Sequence, residues 1–281
     1  MTYEELIKNI DDMPPLSKVA TVIQGLYANG SQDVDVKKLI RLIEADVMLT
    51  ANILKSINSP YYAFRNPISS ISQAVMLLGV EQIYSLVLHY AVSTQLVADT
   101  TVYDVNNTQF NGMCILQSSL MMQWYAKIDI RATHILTSLA MIMESGKIII
   151  AEELVQSAYN EEYKKGFLVC EDIPKYEKEM LSTTSYYLSA LLFEHWNLMP
   201  IYSIVLKNLD RDEADYDEDV DAIVAQYIKA VDVVRTAINL KNILNDDSIK
   251  KATEKVSQMG LLGKDFEVVA NRIRKKYEEN A

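Results

Sequence analysis

Cysteine is almost missing from these 281 residues. Cys114 and Cys170 are too few and too isolated to ligate a metal cluster, and they read as reduced, buried, small apolar residues. Glycine and proline are also scarce, at eight and six, against average usage of about 7 % and 5 %, which favours long helices over a turn-rich β fold. No run approaches the roughly eighteen apolar residues that a bilayer span requires. The opening MTYEELIKNIDDM is acidic and amphipathic, where a secretory leader is basic and then continuously apolar. These two absences lead us to expect a cytoplasmic protein without membrane insertion. Positive charge is in deficit, with a net −11, and no segment supplies the local Lys and Arg excess that nucleic acid demands. No phosphate-cradling glycine loop or G-x-S-x-G elbow occurs, so nucleotide loops and a nucleophile elbow have no support in the sequence.

What is present is helical periodicity. With 49 % hydrophobic residues the chain can bury one large core or two smaller ones. Val36, Leu39, Ile40 and Ile43 mark one helix face. Asp46 stands at an N-cap before the Leu49, Ile53, Ile57 stripe, which Asn58, Ser59 and Pro60 end, so the two helices should form a tight hairpin. After Pro67, Ser70 can cap a helix with Gln73 reaching back, and Gly79 can end it. The polar run DTTVYDVNNTQFN, residues 99–111, marks a subdomain boundary. Beyond it, CILQSSLMMQWYAKI and THILTSLAMIMESGKIIIAEELV read as two mostly buried helices, and a charged stretch over 160–178 links them to the amphipathic SYYLSALLFEHWNLMP, which Pro200 cannot prolong. The acidic run DRDEADYDED reads as a solvated loop or a helix start before the stripe Val220, Val224, Tyr227, Val231, Val234, Ile238. The expected fold is all-α, in two packed helical halves: an N-terminal subdomain over 1–98, a core over 99–215 and C-terminal helices over 216–281 that complete or cap it.

The order ADVMLTANILKSINSPYY, then PISSISQAVMLLG, resembles the HDOD family, bacterial signalling-output domains related to the HD phosphohydrolases. The resemblance implies a multi-helical HD-like bundle and a non-catalytic regulatory module that works through contacts with other signalling proteins, without a cofactor. In catalytic HD relatives, a distant His, an adjacent His-Asp pair and a later Asp hold metals that activate water. Here His89, His134 and His195 are followed by Tyr90, Ile135 and Trp196, so no His-Asp pair exists. The resemblance sets Gln117 (with Ser118 beside it) near the first ligand, Glu144 and Ser145 at the pair, and Asp232 at the last position. A neutral amide is a poor ligand for a hydrolytic metal. The alternative is a degenerate HD-type phosphohydrolase, or a nucleotide- or metal-binding sensor that uses the relic cleft.

Individual residues have plainer readings. Asp232 lies roughly 130° from the centre of its helix's apolar stripe, which predicts a solvated carboxylate beside Arg235. The histidines read as hydrogen-bonded structural imidazoles. Paired acids such as Glu152 with Glu153 adjoin polar segments and read as surface. Tyr61, Tyr62, Phe64 and Arg65 have the composition of an interaction surface, although aromatics that close a helix hairpin onto the core have the same pattern.

Overall fold

The computed structural model describes residues 3–27, 30–62, 64, 66–96 and 99–279. Its helices, in chain order, are α1 (Tyr3–Asp11), α2 (Lys18–Leu26), α3 (Val36–Glu44), α4 (Val47–Ile57), α5 (Ile71–Gln95), α6 (Asn107–Tyr125), α7 (Ile130–Ile142), α8 (Ser145–Gln156), α9 (Asn160–Val169), α10 (Ile173–Leu181), α11 (Ser185–His195), α12 (Pro200–Asn208), α13 (Ala222–Ala237), α14 (Asp246–Gln258) and α15 (Gly263–Glu278). Among the described residues the one extended feature is an isolated antiparallel bridge between Ile238 and Ile243. The fold is all-α, as expected.

Local chemistry sets the helix starts. Asp35, Asp46 and Ser70 each accept the amide three residues on, which satisfies one orphan donor of α3, α4 and α5. Gln73 reaches back as expected, but to the Ser69 amide, at 3.1 Å. Gly79 stops the helical run at φ 80°, where a side chain would be strained, and helix resumes at once, so α5 is two rods joined at a kink. The first rod buries one face. The second buries Gln82 to Leu88 without a break, because α5 is packed by α2, α3, α4 and α7 and Gln82 reaches Ser118 of α6.

One connected apolar core runs through the whole chain. At its centre α7 packs against both α5 and α6, α8 lies against α11, α11 against α12, and α13 to α15 stack in sequence. The first helix, α1, returns to cover α8 and α11 through Leu6 and Ile10. Tyr103, in the polar run after α5, is itself buried and packs edge-on to Tyr163 and Phe167 of α9.

Five sequence expectations need correction. The supposed single helix over 133–155 is two, α7 and α8, broken at Met143–Glu144. The charged stretch over 160–178 contains α9 and α10, whose buried residues occur every fourth position within otherwise polar sequence. Pro200 opens α12 at its first position rather than merely stopping α11, a site where its missing N–H costs nothing. Two stretches, Ile71–Gln95 and Ile130–Val155, are long and apolar enough by composition to cross a membrane. The first is kinked at Gly79 and the second is broken at Glu144, with 89 % of its apolar window inside the protein, the signature of core helices. Of the cysteines, Cys114 is buried but Cys170 is only half-buried.

Candidate functional site

The break between α7 and α8 places the first group of the site. At a break, carbonyls lose their helical partners, and here two short side chains replace them: the Ser145 hydroxyl donates to the Ile142 carbonyl at 2.5 Å, and Ser189 of α11 donates to that of Met143 at 2.8 Å. The Gly146 amide in turn donates to Ser189 Oγ at 2.7 Å. This locks α8 against α11 and turns Glu144 into the interior, where its side chain is 1 % exposed.

Glu144 is held by three groups. Lys147, one turn on, sets its Nζ 2.7 Å from Glu144 Oε2 while being 2 % exposed itself. Gln117 of α6 and the Tyr186 hydroxyl of α11 donate to Oε1 at 2.8 and 3.1 Å. Gln117 Nε2 also donates to the Ile238 carbonyl at 3.0 Å. Because both partners only accept, the amide presents its NH2 end to the site, and its buried oxygen has no hydrogen-bond partner.

Lys147 has further partners. Its Nζ donates to Ser185 Oγ at 2.7 Å, lies 3.7 Å from Glu177 Oε1 of α10, and sits 4.5 Å from the centre of the Tyr186 ring. Glu177 is fully buried and accepts the Ser185 amide at 2.7 Å. Burial works against the lysine's charge, but Glu144, Glu177 and Tyr186 outweigh it and hold the ammonium protonated, well above the ordinary lysine range. Burial raises the Glu177 carboxyl, with Lys147 opposing.

A second group lies outside the first. Arg235 of α13 also packs on the Tyr186 ring, 4.9 Å from its centre, and bonds Asp210, the Leu209 carbonyl at 2.9 Å and Asp232 at 2.8 Å. Lys255 of α14 takes the other Asp232 oxygen at 2.5 Å. Asp232 is thus not the solvated carboxylate expected from its helix face. It is 23 % exposed and clamped between two cations, which overcome the effect of burial and hold its carboxyl below the usual range. The single-face reading failed because α13 packs on α6, α7, α12 and α14, which cover more than one face. Two adjoining depressions of about 430 and 420 Å³ share Asp172, Pro174, Asp232, Arg235 and Lys255.

Of the four predicted relic positions, Gln117 and Glu144 therefore meet, Ser145 is turned back onto its own chain, and Asp232 belongs to the outer group. Sequence reasoning missed Lys147, Glu177, Ser185 and Tyr186. A signal for Glu177 was present: Ile173, Glu177 and Leu181 follow a four-residue repeat that puts the acid on the buried face of α10. These residues do not fit a divalent metal. The interior is occupied by an ammonium and by amide donors, and among the described residues no three His, Cys, Asp or Glu side chains gather as a ligand set.

The histidines lie apart from this site. His195 Nε2 bonds the Met13 carbonyl at 2.8 Å. His89, beside the Asn111 side chain and the Met141 backbone, is lowered by burial to about 4, and burial also lowers His134. Tyr61 stacks on Tyr277 of α15 with ring centres 5.7 Å apart, and the Tyr62 hydroxyl accepts from Gln82 at 2.8 Å. Phe64 stacks on Tyr62 and is 37 % exposed. Arg65, the fourth residue of that predicted surface, lies outside the described residues.

Residues 13–208 match the family model of the HDOD domain. No curated protein matches the chain. Among solved structures, an HDOD domain protein of unknown function from Geobacter sulfurreducens is 16 % identical, with 99 % of this chain and 94 % of that one covered and a TM-score of 0.65. A protein from Shewanella amazonensis SB2B, whose name proposes a phosphohydrolase, is 18 % identical over 98 % of both chains with a TM-score of 0.67. One from Marinobacter aquaeolei VT8, whose name proposes a signal transduction protein, is 14 % identical with a TM-score of 0.67, covering 98 % of this chain and 62 % of that one. At these identities the likeness establishes the shared fold alone.

Proposed function

Because this chain belongs to the HDOD domain family, we propose that it is a non-catalytic regulatory output module that acts by contact with other signalling proteins in a bacterial cytoplasm. One observation carries the reading: the Glu144 carboxylate that Gln117 reaches through one oxygen is paired through the other with the protein's own Lys147 ammonium. Hydrolysis of a phosphoester by the HD route needs a metal to lower the pKa of a bound water. An ammonium that is already charge-paired has no open coordination position for water, and it repels a second cation at close range.

A bundle in which the buried Gln117, Glu144, Lys147, Tyr186 and Ser185 side chains bond one another suits a scaffold that presents surfaces. The Phe64 end of the aromatic cluster is the surface we assign to partner contact, since Tyr61 and Tyr62 are committed to intramolecular packing.

The test is turnover and binding together. The purified chain is assayed with bis(p-nitrophenyl) phosphate in Mn²⁺ or Mg²⁺, beside the Glu144→Gln variant. No difference between the two is the expected result, together with a stoichiometric complex with a signalling protein that Phe64→Ala weakens. Metal-dependent turnover by the parent chain that Glu144→Gln abolishes would overturn the reading.

A further inference from the structure

We propose that a cavity between α2 and the turn from α11 to α12 is a binding site for an uncharged aromatic molecule of two or three rings. It shares no lining residue with the depressions beside Asp232, so it stands apart from the regulatory reading above and can fail without it.

The walls come first. The cavity holds about 630 Å³, within the roughly 300–1,000 Å³ of small-molecule sites. Tyr27, Tyr84 and Trp196 line it, and all three are buried. Their rings are set before any ligand arrives. Tyr27 stacks on Tyr84 with ring centres 4.1 Å apart and donates its hydroxyl to the Val80 carbonyl at 2.7 Å. Trp196 Nε1 donates to the Pro14 carbonyl at 2.9 Å. Rings held this way lose little freedom when a flat partner packs on them.

The α2 side leaves room. Thr21, Gln24 and Gly25 are spaced three and four residues from Thr21, so they share the helix face that lines the cavity, and none is a large apolar residue that could fill it. Gln24 reaches across and donates to the Asn197 carbonyl at 2.8 Å. Gly25 is an independent sign that the space is kept open. It lies in the last turn of α2 without the positive φ that calls for a glycine, and an added Cβ would meet nothing within 4 Å. A residue that weakens a helix stands where no neighbour demands it.

Charge decides the occupant. Among the described residues that line the cavity there is no Asp, Glu, Lys or Arg. A charged ligand would lose its water there without gaining a counter-ion, and the net −11 of the chain adds repulsion against anions. An uncharged ring system meets neither penalty and gains the surface of the three aromatics.

Two probes test this: N-phenyl-1-naphthylamine, which is uncharged, and 8-anilinonaphthalene-1-sulfonate, which has the same rings and a sulfonate. Fluorescence titration of the full chain is expected to give one uncharged probe per chain, with the sulfonate at least about tenfold weaker. Gly25→Leu puts a side chain into the open space and is expected to weaken the uncharged probe at least about tenfold, with circular dichroism and thermal melting unchanged. No binding of the uncharged probe, equal binding of the two probes, or undiminished binding by folded Gly25→Leu overturns the proposal. Should Gly25→Leu not fold, nuclear Overhauser contacts of the uncharged probe with the native chain decide. Contacts to the Trp196 ring support the site, and their absence overturns it.

Discussion

Gly146 meets Ser185 backbone to backbone: a Cβ added to the glycine would lie 1.9 Å from the Ser185 carbonyl oxygen, far inside van der Waals contact. The obstacle is main chain, so no rotamer change relieves it. Gly146→Ala must push α8 away from α11, which also pulls apart the Ser189 bonds and the Lys147–Ser185 bond. We expect a loss of about 3 kcal/mol or more, at the upper end of overpacking costs, measured by urea unfolding.

Gly112 presents the contrasting case. A Cβ there would also fall 1.9 Å from a neighbour, but that neighbour is the Tyr61 ring, the far end of a half-buried side chain that can swing outward. Gly112→Ala should cost only about 1 kcal/mol and should break the Tyr61–Tyr277 stack. The check is hydrogen exchange, which should quicken in α15 and not in α8. Equal losses for Gly112→Ala and Gly146→Ala would contradict the distinction drawn here.

The Glu144–Lys147 pair predicts a cycle of stabilities. Lys147→Met leaves two buried carboxylates without their cation, and removal of one partner of a buried pair costs about 3–5 kcal/mol. Adding Glu144→Gln removes one of the stranded charges, so the double variant should be more stable than Lys147→Met alone, with a coupling of about 1–3 kcal/mol. Denaturant melts of the four proteins measure it, and strict additivity would mean that the pair does not act as a unit.

His89 predicts an acid-sensitive component of stability. Burial lowers it to about 4 in the folded protein, whereas the unfolded chain takes up the proton near 6.5. Between those values the unfolded state binds more protons, so this contribution is fully present above about pH 6.5 and is lost as pH falls towards 4. The loss is at most about 3 kcal/mol. His89→Gln, which keeps a polar group for Asn111 and Met141, should reduce the slope of the stability curve over that interval, leaving the part that His134 contributes and, below pH 4, that of the carboxylates, among them Asp232. A mutant with the same pH profile as the parent would exclude the imidazole as the cause.

Much of the helical framework was legible in order along the chain. Caps such as Asp46 and Ser70 and the Leu49, Ile53, Ile57 stripe depend on residues within one or two turns, and these local patterns reappear in the structure as read. Helices without an apolar surplus were harder. Single buried positions every fourth residue in α9 and α10 barely register against Lys and Glu, and at Glu144 the one local signal of the break is the Ser145-Gly146 dipeptide, which is easily passed over because the residues on both sides of it are buried.

From sequence alone, then, came the all-α class, the resemblance, and the absence of any His-Asp pair, since each depends only on which residues follow one another. Only the tertiary structure decided what surrounds Glu144. Lys147 and Glu177 are separated by thirty positions, Gln117 and Ile238 by 121, Asp232 and Lys255 by 23, and no periodicity relates residues on different helices. Their meeting is set by how α8, α10, α11 and α13 pack. The low dielectric of that packed interior is what makes a buried lysine and its carboxylates a bound unit rather than solvated neighbours.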